Sequence, residues 1–278
     1  MLSALLLSLF VLRTAPDVPT QAEVFKALQE GKLEEAESMA SKRIAADDKS
    51  GLAYLVRGSI RDEADKLPGA IEDLTAALGR SLETKDKAAA FNQRGMSLFK
   101  QGKIKESIAD FDAYLKLEPK MEARHWQRGI AYYYAGRFDE GRKQFEAYEN
   151  VDGNDVENVV WRAMCIARKD GVAKSQATMA KVGFDRRVPM MTIYKLFKGE
   201  ATPEDVMKAA EARSLTDAQS KQQLFYAHLY IGLYSEIKGD KAATKEHLKK
   251  AVDIYPRGPY MWAVARTHLK LLDKPAEQ

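Results

Sequence analysis

An all-α solenoid of stacked helix pairs is the fold this sequence predicts, on three observations. The stretch FNQRGMSLFKQGKIKESIADFDAYLKLEP, residues 91–119, carries landmarks at fixed steps: counted from Ala88, Phe91 stands at position four, Gly95 at eight, Gly102 at fifteen, Ser107 at twenty, Phe111 at twenty-four and Pro119 at thirty-two. The same landmarks return elsewhere at a period near 34 residues. Each such unit alone would leave an apolar face wet, so its neighbours must stack on it and share a continuous core.

The units follow in order. One starting at Asp17 carries Gly31 at fifteen, Leu33 at seventeen, Ala36 at twenty and Ala40 at twenty-four. The next, from Gly51, places Tyr54, Gly58, Ala70, Leu74 and Ala77, so the two starts differ by 51 − 17 = 34. The step from Gly51 to Ala88 is 37, which implies a three-residue insertion around Lys85, Asp86 and Lys87. A unit from Glu122 carries Gly129, Tyr132, Gly136, Phe138 and Phe145, with Gly153 in the proline position. The last, from Phe225, carries Gly232, Gly239, Leu248, Ala251 and Pro256. Glycine at eight lets two helices approach closely, glycine at fifteen turns the chain, and the later aromatic fills the groove between adjoining units.

Residues 156–222 are less regular and read as four helices, two divergent pairs. Thr202 is an N-cap candidate there, followed by Pro203 in the first turn and by Glu204 and Asp205 at the positive helix end. Thr216 starts the next helix, and a last helix from Pro259 to Leu272 caps the final unit. The predicted organisation is a signal peptide or apolar segment over 1–20, four units over 21–155, the divergent pairs over 156–222, and a final unit with its capping helix over 223–278.

Composition narrows the function. Net charge is +4, from 44 basic against 40 acidic residues that alternate along the chain, whereas phosphate-driven nucleic-acid binding calls for a concentrated basic stripe. Cys165, the single cysteine, precludes an intramolecular disulfide and a multi-cysteine metal site, and its apolar setting predicts a buried thiol. His125, His228, His247 and His268 form no metal-binding or nucleophile-activating pattern, and no glycine-rich phosphate loop is present. The expectation is a non-enzymatic protein without cofactor or metal.

The apolar run from Leu2 to Leu12 is too short to span a bilayer and suits a signal-peptide core, which predicts export. The alternative is an apolar helix packed on the array of a cytoplasmic protein. Thr20, Gln21 and Ala22 satisfy a cleavage pattern, while Thr20 with Glu23 also reads as a capping box.

The landmark set resembles the tetratricopeptide repeat, a 34-residue helix-turn-helix unit. That resemblance implies a right-handed superhelix whose concave groove, lined by positions two, five, nine, twelve and thirteen of each first helix, binds other proteins or peptides. The protein-binding candidates on those positions are Asn92, Phe99, Lys100, Trp126, Ile130, Tyr133 and Tyr134, with the aromatics of the unit from Glu122 offering large area at low entropy cost. The Lys-and-Asn clamp of carboxylate-binding members is not matched, since Leu55 and Ser59, then Asn92 and Met96, occupy its positions. Arg57, Arg94, Arg128 and Arg162 recur beside position eight, and Asp73 and Asp110 at position twenty-three predict Arg57–Asp73 and Arg94–Asp110 pairs. In the unit after these, Gln144 replaces the acid.

The order of elements, with VPMMTIYKLFKGEATPEDVMKAA in the middle and LFYAHLYIGLYSEIKGDKAATKEHLKKAV near the end, resembles the NlpI-type lipoproteins of bacterial envelopes over residues 23–273. That resemblance implies a homodimeric, periplasmic adaptor bringing peptidoglycan hydrolases to an envelope protease. This chain departs from the pattern in having no cysteine near its N-terminus for a lipobox. Two other readings are a cytoplasmic assembly protein and a small-ligand carrier or enzyme using Arg186, Arg187 and Lys195.

Overall fold

The computed structural model describes residues 18–47, 49–211 and 216–273. The described residues are α-helical with one 3-10 turn and contain no strand, so the all-α helical-repeat class predicted from the landmarks is the observed one. The N-terminal apolar run and its signal-peptide reading lie outside the described residues. Among the described residues no helix is long and apolar enough to cross a membrane.

The chain divides into two compact units at residue 81. The first holds α1 (Gln21–Gln29), α2 (Leu33–Ala46), α3 (Gly51–Glu63) and α4 (Leu67–Leu78). Thr20 opens α1 with a capping box: its hydroxyl accepts from Glu23 N at 3.3 Å and Glu23 Oε2 accepts from Thr20 N at 2.7 Å, satisfying two backbone donors that a helix start leaves free. Val24, Ala36, Ala40 and Ile60 form its fully buried core.

The second unit runs through α5 (Thr84–Gln101), α6 (Ile104–Leu117), a 3-10 turn (Pro119–Arg124), α7 (Trp126–Tyr134), α8 (Phe138–Tyr148), α9 (Val156–Asp170) and α10 (Val172–Ala177). It continues with α11 (Met190–Lys198), α12 (Pro203–Glu211), α13 (Asp217–Ile237), α14 (Lys241–Asp253) and α15 (Tyr260–Leu272). The three-residue insertion before Ala88 is absorbed as helix: α5 has 18 residues where α3 has 13. Thr202 and Thr216 cap α12 and α13 as their sequences predict, accepting from Asp205 N at 3.2 Å and Gln219 N at 3.4 Å. Helix α10 is shorter than its sequence pattern. Thr178 Oγ1 bonds back to Lys174 O at 2.8 Å as α10 closes, and residues 179–189, which include Gly183 and Pro189, run without helix into α11.

The landmark residues show their physical roles directly. A Cβ added to Gly95 would lie 2.7 Å from Phe111 Cε1, and one on Gly129 2.7 Å from Phe145 Cζ. The residue at twenty-four therefore sits on the glycine at eight of its own unit and also meets the following one, Phe111 against the His125 ring with centroids 4.7 Å apart and Phe145 stacked on Trp161 at 6.4 Å. Gly102 turns the chain in the left-handed region at φ 79°, and Asp65 takes the same role at φ 59° where the unit from Gly51 has no glycine. Ser107 Oγ donates to Gly95 O at 2.7 Å. The same bond joins α10 to α9, where Ser175 Oγ donates to Ala163 O at 2.7 Å, so the divergent middle keeps the helix-pair geometry after losing its glycine.

The arginine beside position eight reaches sixteen residues along the chain. Arg57 Nε and Nη2 donate to both oxygens of Asp73 at 2.8 and 2.7 Å, and Arg94 grips Asp110 in the same two-pronged way, so both predicted pairs form. Arg128 donates to Gln144 Oε1 and finds its charge partners in Asp112 and Glu122, each at 3.1 Å. Cys165 is buried against Gly141, and burial pushes its thiol up to about 12, away from reactivity.

Candidate functional site

The capping helix does more than close the final pair. Helix α15 packs on α14 and also returns to α5, where Thr267 Oγ1 donates to Phe99 O at 3.4 Å and Lys270 Nζ donates to Gln101 O at 2.7 Å, placing a cation on the negative end of α5. This return decides where the predicted binding residues lie. Phe99 is fully buried, stacked on Tyr260 with ring centroids 5.6 Å apart and edge-on to Tyr134 at 5.5 Å. Ile130 is fully buried. Tyr133 is buried and donates its hydroxyl to Glu236, which also receives Arg168. Tyr134 shares a hydrogen bond with His268 Nδ1 of α15 at 3.0 Å. Asn92 Oδ1 lies 2.9 Å from His125 Nε2, and Lys100 is half-buried beside α15. Much of the face that the repeat pattern assigns to a partner is thus occupied by the chain's own last helix, because α15 brings Tyr260, Thr267, His268 and Lys270 against it.

Trp126 is different. It is half-buried, edge-on to Tyr260 with centroids 5.2 Å apart, and borders a half-enclosed cavity of about 300 Å³ among α7, α9, α13 and the segment leading into α15. Glu157, Trp161, Arg187, Tyr226 and Tyr260 also line it. The volume falls at the lower end of the ~300–1,000 Å³ usual for ligand pockets.

Local chemistry builds its polar wall. Asp155 caps α9, its Oδ1 accepting from Glu157 N at 3.1 Å, which places two carboxylates at the helix's positive end. Arg187, on the irregular connection before α11, binds three acids at once: Nη1 donates to Glu157 Oε2 at 2.5 Å, Nη2 to Asp155 Oδ1 at 2.7 Å and to Asp185 Oδ2 at 2.6 Å. Burial raises the Glu157 carboxyl above its ordinary range, against the pull of Arg187 and of the Tyr230 hydroxyl that donates to it at 2.7 Å. Burial also opposes the Arg187 charge, yet its hydrogen bonds to Asp185 and the surrounding carboxylates hold its pKa above the ordinary arginine value.

Two buried polar atoms in this wall have no protein partner. Asn158 is 4% exposed; its Nδ2 donates to Phe145 O at 2.8 Å, which orients the amide and leaves Oδ1 unpaired. Trp161 is 2% exposed and its Nε1–H is likewise unpaired. Native interiors seldom leave such groups unsatisfied. Among the described residues no set of three or more His, Cys, Asp or Glu side chains is arranged to hold a metal ion.

Of the cluster Arg186, Arg187 and Lys195 that sequence singled out, Arg187 lines the cavity. Asp155, Glu157, Asn158 and Trp161 were not legible as a site, since acids and a capping Asp at a helix start are what the helix dipole alone asks for. The one usable signal was the arginine pair that opens RRVPMMTIYKLFKGE, expected as the start of a helix; the structure begins α11 only at Met190 and leaves the pair on the connection before it.

The tetratricopeptide-repeat family profile matches residues 55–122 and 92–155. Among solved structures, a tetratricopeptide repeat protein from Parabacteroides merdae aligns at 16% identity and a TM-score of 0.55, covering 90% of this chain and 96% of its own. The Pseudomonas aeruginosa pilF structure aligns at 13% identity and a TM-score of 0.47, covering 89% of this chain and 95% of its own. The helix pairs within residues 55–155 therefore match the tetratricopeptide repeat.

Proposed function

We propose that this chain is a non-catalytic adaptor that seats a segment of another polypeptide in the cavity beside Trp126. Tetratricopeptide repeats in general bind proteins or peptides, and one observation points that role to this place. While α15 covers Phe99, the aromatic surface of α7 stays open at Trp126, beside a half-enclosed cavity with two unpaired buried polar atoms. Of the seven predicted contact residues, Trp126 is the one this reading keeps for the partner.

The setting we infer is the bacterial envelope, where an NlpI-like adaptor, alone or as a homodimer, would link peptidoglycan hydrolases to a protease. The apolar run Leu2–Leu12 and the element order of residues 23–273 support it. A photo-crosslinking amino acid at position 126 of the tagged full-length protein tests both halves. Capture of an envelope protease or wall hydrolase from position 126, and not from the exposed Phe184, supports the proposal. Recovery of the protein in the cytoplasm with cytoplasmic complexes crosslinked would favour the assembly role instead. A small-ligand carrier is the second reading, favoured by the convergence of Arg187, Asp155 and Glu157 on one cavity.

A further inference from the structure

We propose that the Trp126 cavity recognises a basic residue, arginine or lysine, within its partner polypeptide. This deepens the reading above and rests on it.

Charge gives the first argument. Asp155, Glu157 and Asp185 bring three acidic groups to one guanidinium. Arg187 already spends Nε, Nη1 and both Nη2 directions on those carboxylates, with Nε 3.0 Å from Asp185 Oδ1, so it has little left to offer an anionic ligand. The surplus is negative, and an arriving cation would reduce it.

The walls give the second. Trp126, Trp161, Tyr226 and Tyr260 border the same space. Aromatic faces attract a desolvated cation and also pack the methylene stem that carries it.

The unpaired atoms give the third, independent of charge. Trp161 Nε1–H needs an acceptor and Asn158 Oδ1 needs a donor. A peptide group presents both, one carbonyl and one N–H, beside its side chain. A free alkylammonium or guanidinium supplies donors alone and leaves the indole unpaired. A basic residue inside a polypeptide supplies cation, stem, carbonyl and N–H together.

The test uses the full chain and four probes: acetyl-Ala-Arg-Ala-amide, acetyl-Ala-Lys-Ala-amide, the citrulline analogue, and methylguanidinium. The readout is the shift of the Trp126 and Trp161 indole N–H resonances during titration. The basic peptides should shift both saturably, with citrulline and methylguanidinium each binding about tenfold or more weakly, a difference of about 1.4 kcal/mol. Trp126→Leu and Glu157→Gln should each weaken the arginine peptide several-fold, with the helical circular-dichroism signal at 222 nm serving as the check on folding. Equal binding of arginine and citrulline peptides would overturn the cation while leaving a polypeptide site intact. Methylguanidinium binding as tightly as the arginine peptide would make a small organic cation the ligand and remove the polypeptide reading. No indole shift with any probe overturns the proposal outright.

Discussion

Arg94 and Asp110, sixteen residues apart on α5 and α6, meet in two near-parallel hydrogen bonds of 2.7 and 2.8 Å beside the glycine at which the helices touch. Asp110 is 5% exposed, so its charge depends on that guanidinium for the solvation water no longer provides. Arg94→Ala strands the carboxylate and should lower stability by about 3 kcal/mol, within the range for breaking buried pairs. The double variant Arg94→Leu, Asp110→Leu should lose less than the two single changes summed, since neither charge is left unpaired. Urea denaturation followed by helical circular dichroism measures all three. A double variant as unstable as the sum would show that the pair does not act as a unit.

The glycine at eight makes a steric prediction. Gly95→Ala puts a Cβ 2.7 Å from the ring of Phe111, itself fully buried, and should destabilise by about 1–3 kcal/mol as an overpacked core does. Gly79→Ala is the contrast: the residue is exposed, has φ −79° and its new Cβ would meet nothing closer than 3.6 Å. That change should stabilise by about 0.4–1 kcal/mol by restricting the unfolded chain. Thermal melts of the two variants should move in opposite directions.

What could be read from sequence was local. Gly95 with Phe111, the Arg94–Asp110 spacing and the caps at Thr202 and Thr216 are short-range chemistry that any chain with those residues would repeat. The return of α15 to α5 was not legible, because Thr267 and Phe99 lie 168 residues apart and the surfaces that join are generic apolar faces. The site shows the same limit. Arg187 and Asp155 are 32 residues apart, and what brings them together is an irregular connection where the sequence reads as the start of a helix.

Two buried histidines should make the second unit sensitive to acid. Burial lowers His125 and His268 to about 4, with Arg128 and Arg168 respectively adding to the effect. The unfolded chain, titrating near 6.5, takes up protons before the native one does, so this stability is complete above about pH 6.5 and drains as the pH falls toward 4. Each histidine should cost about 2 kcal/mol between pH 7.5 and pH 5. His268→Asn, which removes the titrating partner of Tyr134, should shrink the difference between urea midpoints at those two pH values by that amount. An unchanged difference would mean that His268 titrates normally in the folded protein.

Phe99 and Trp126 separate packing from recognition. Both belong to the face that the repeat pattern gives to partners, yet Phe99 is fully buried between Tyr134 and Tyr260 while Trp126 is half-open to the cavity. Phe99→Ala should cost about 3–5 kcal/mol, the price of emptying a core aromatic site, and leave partner affinity per folded molecule unchanged. Trp126→Ala should cost less stability and weaken binding of the basic tripeptide by about tenfold or more, as loss of an interface aromatic anchor does. The pair of measurements, urea midpoint and peptide titration on each variant, discriminates sharply. If Phe99→Ala abolishes binding below its unfolding transition while Trp126→Ala does not, α15 must leave α5 to admit the partner, and the groove it covers is the site.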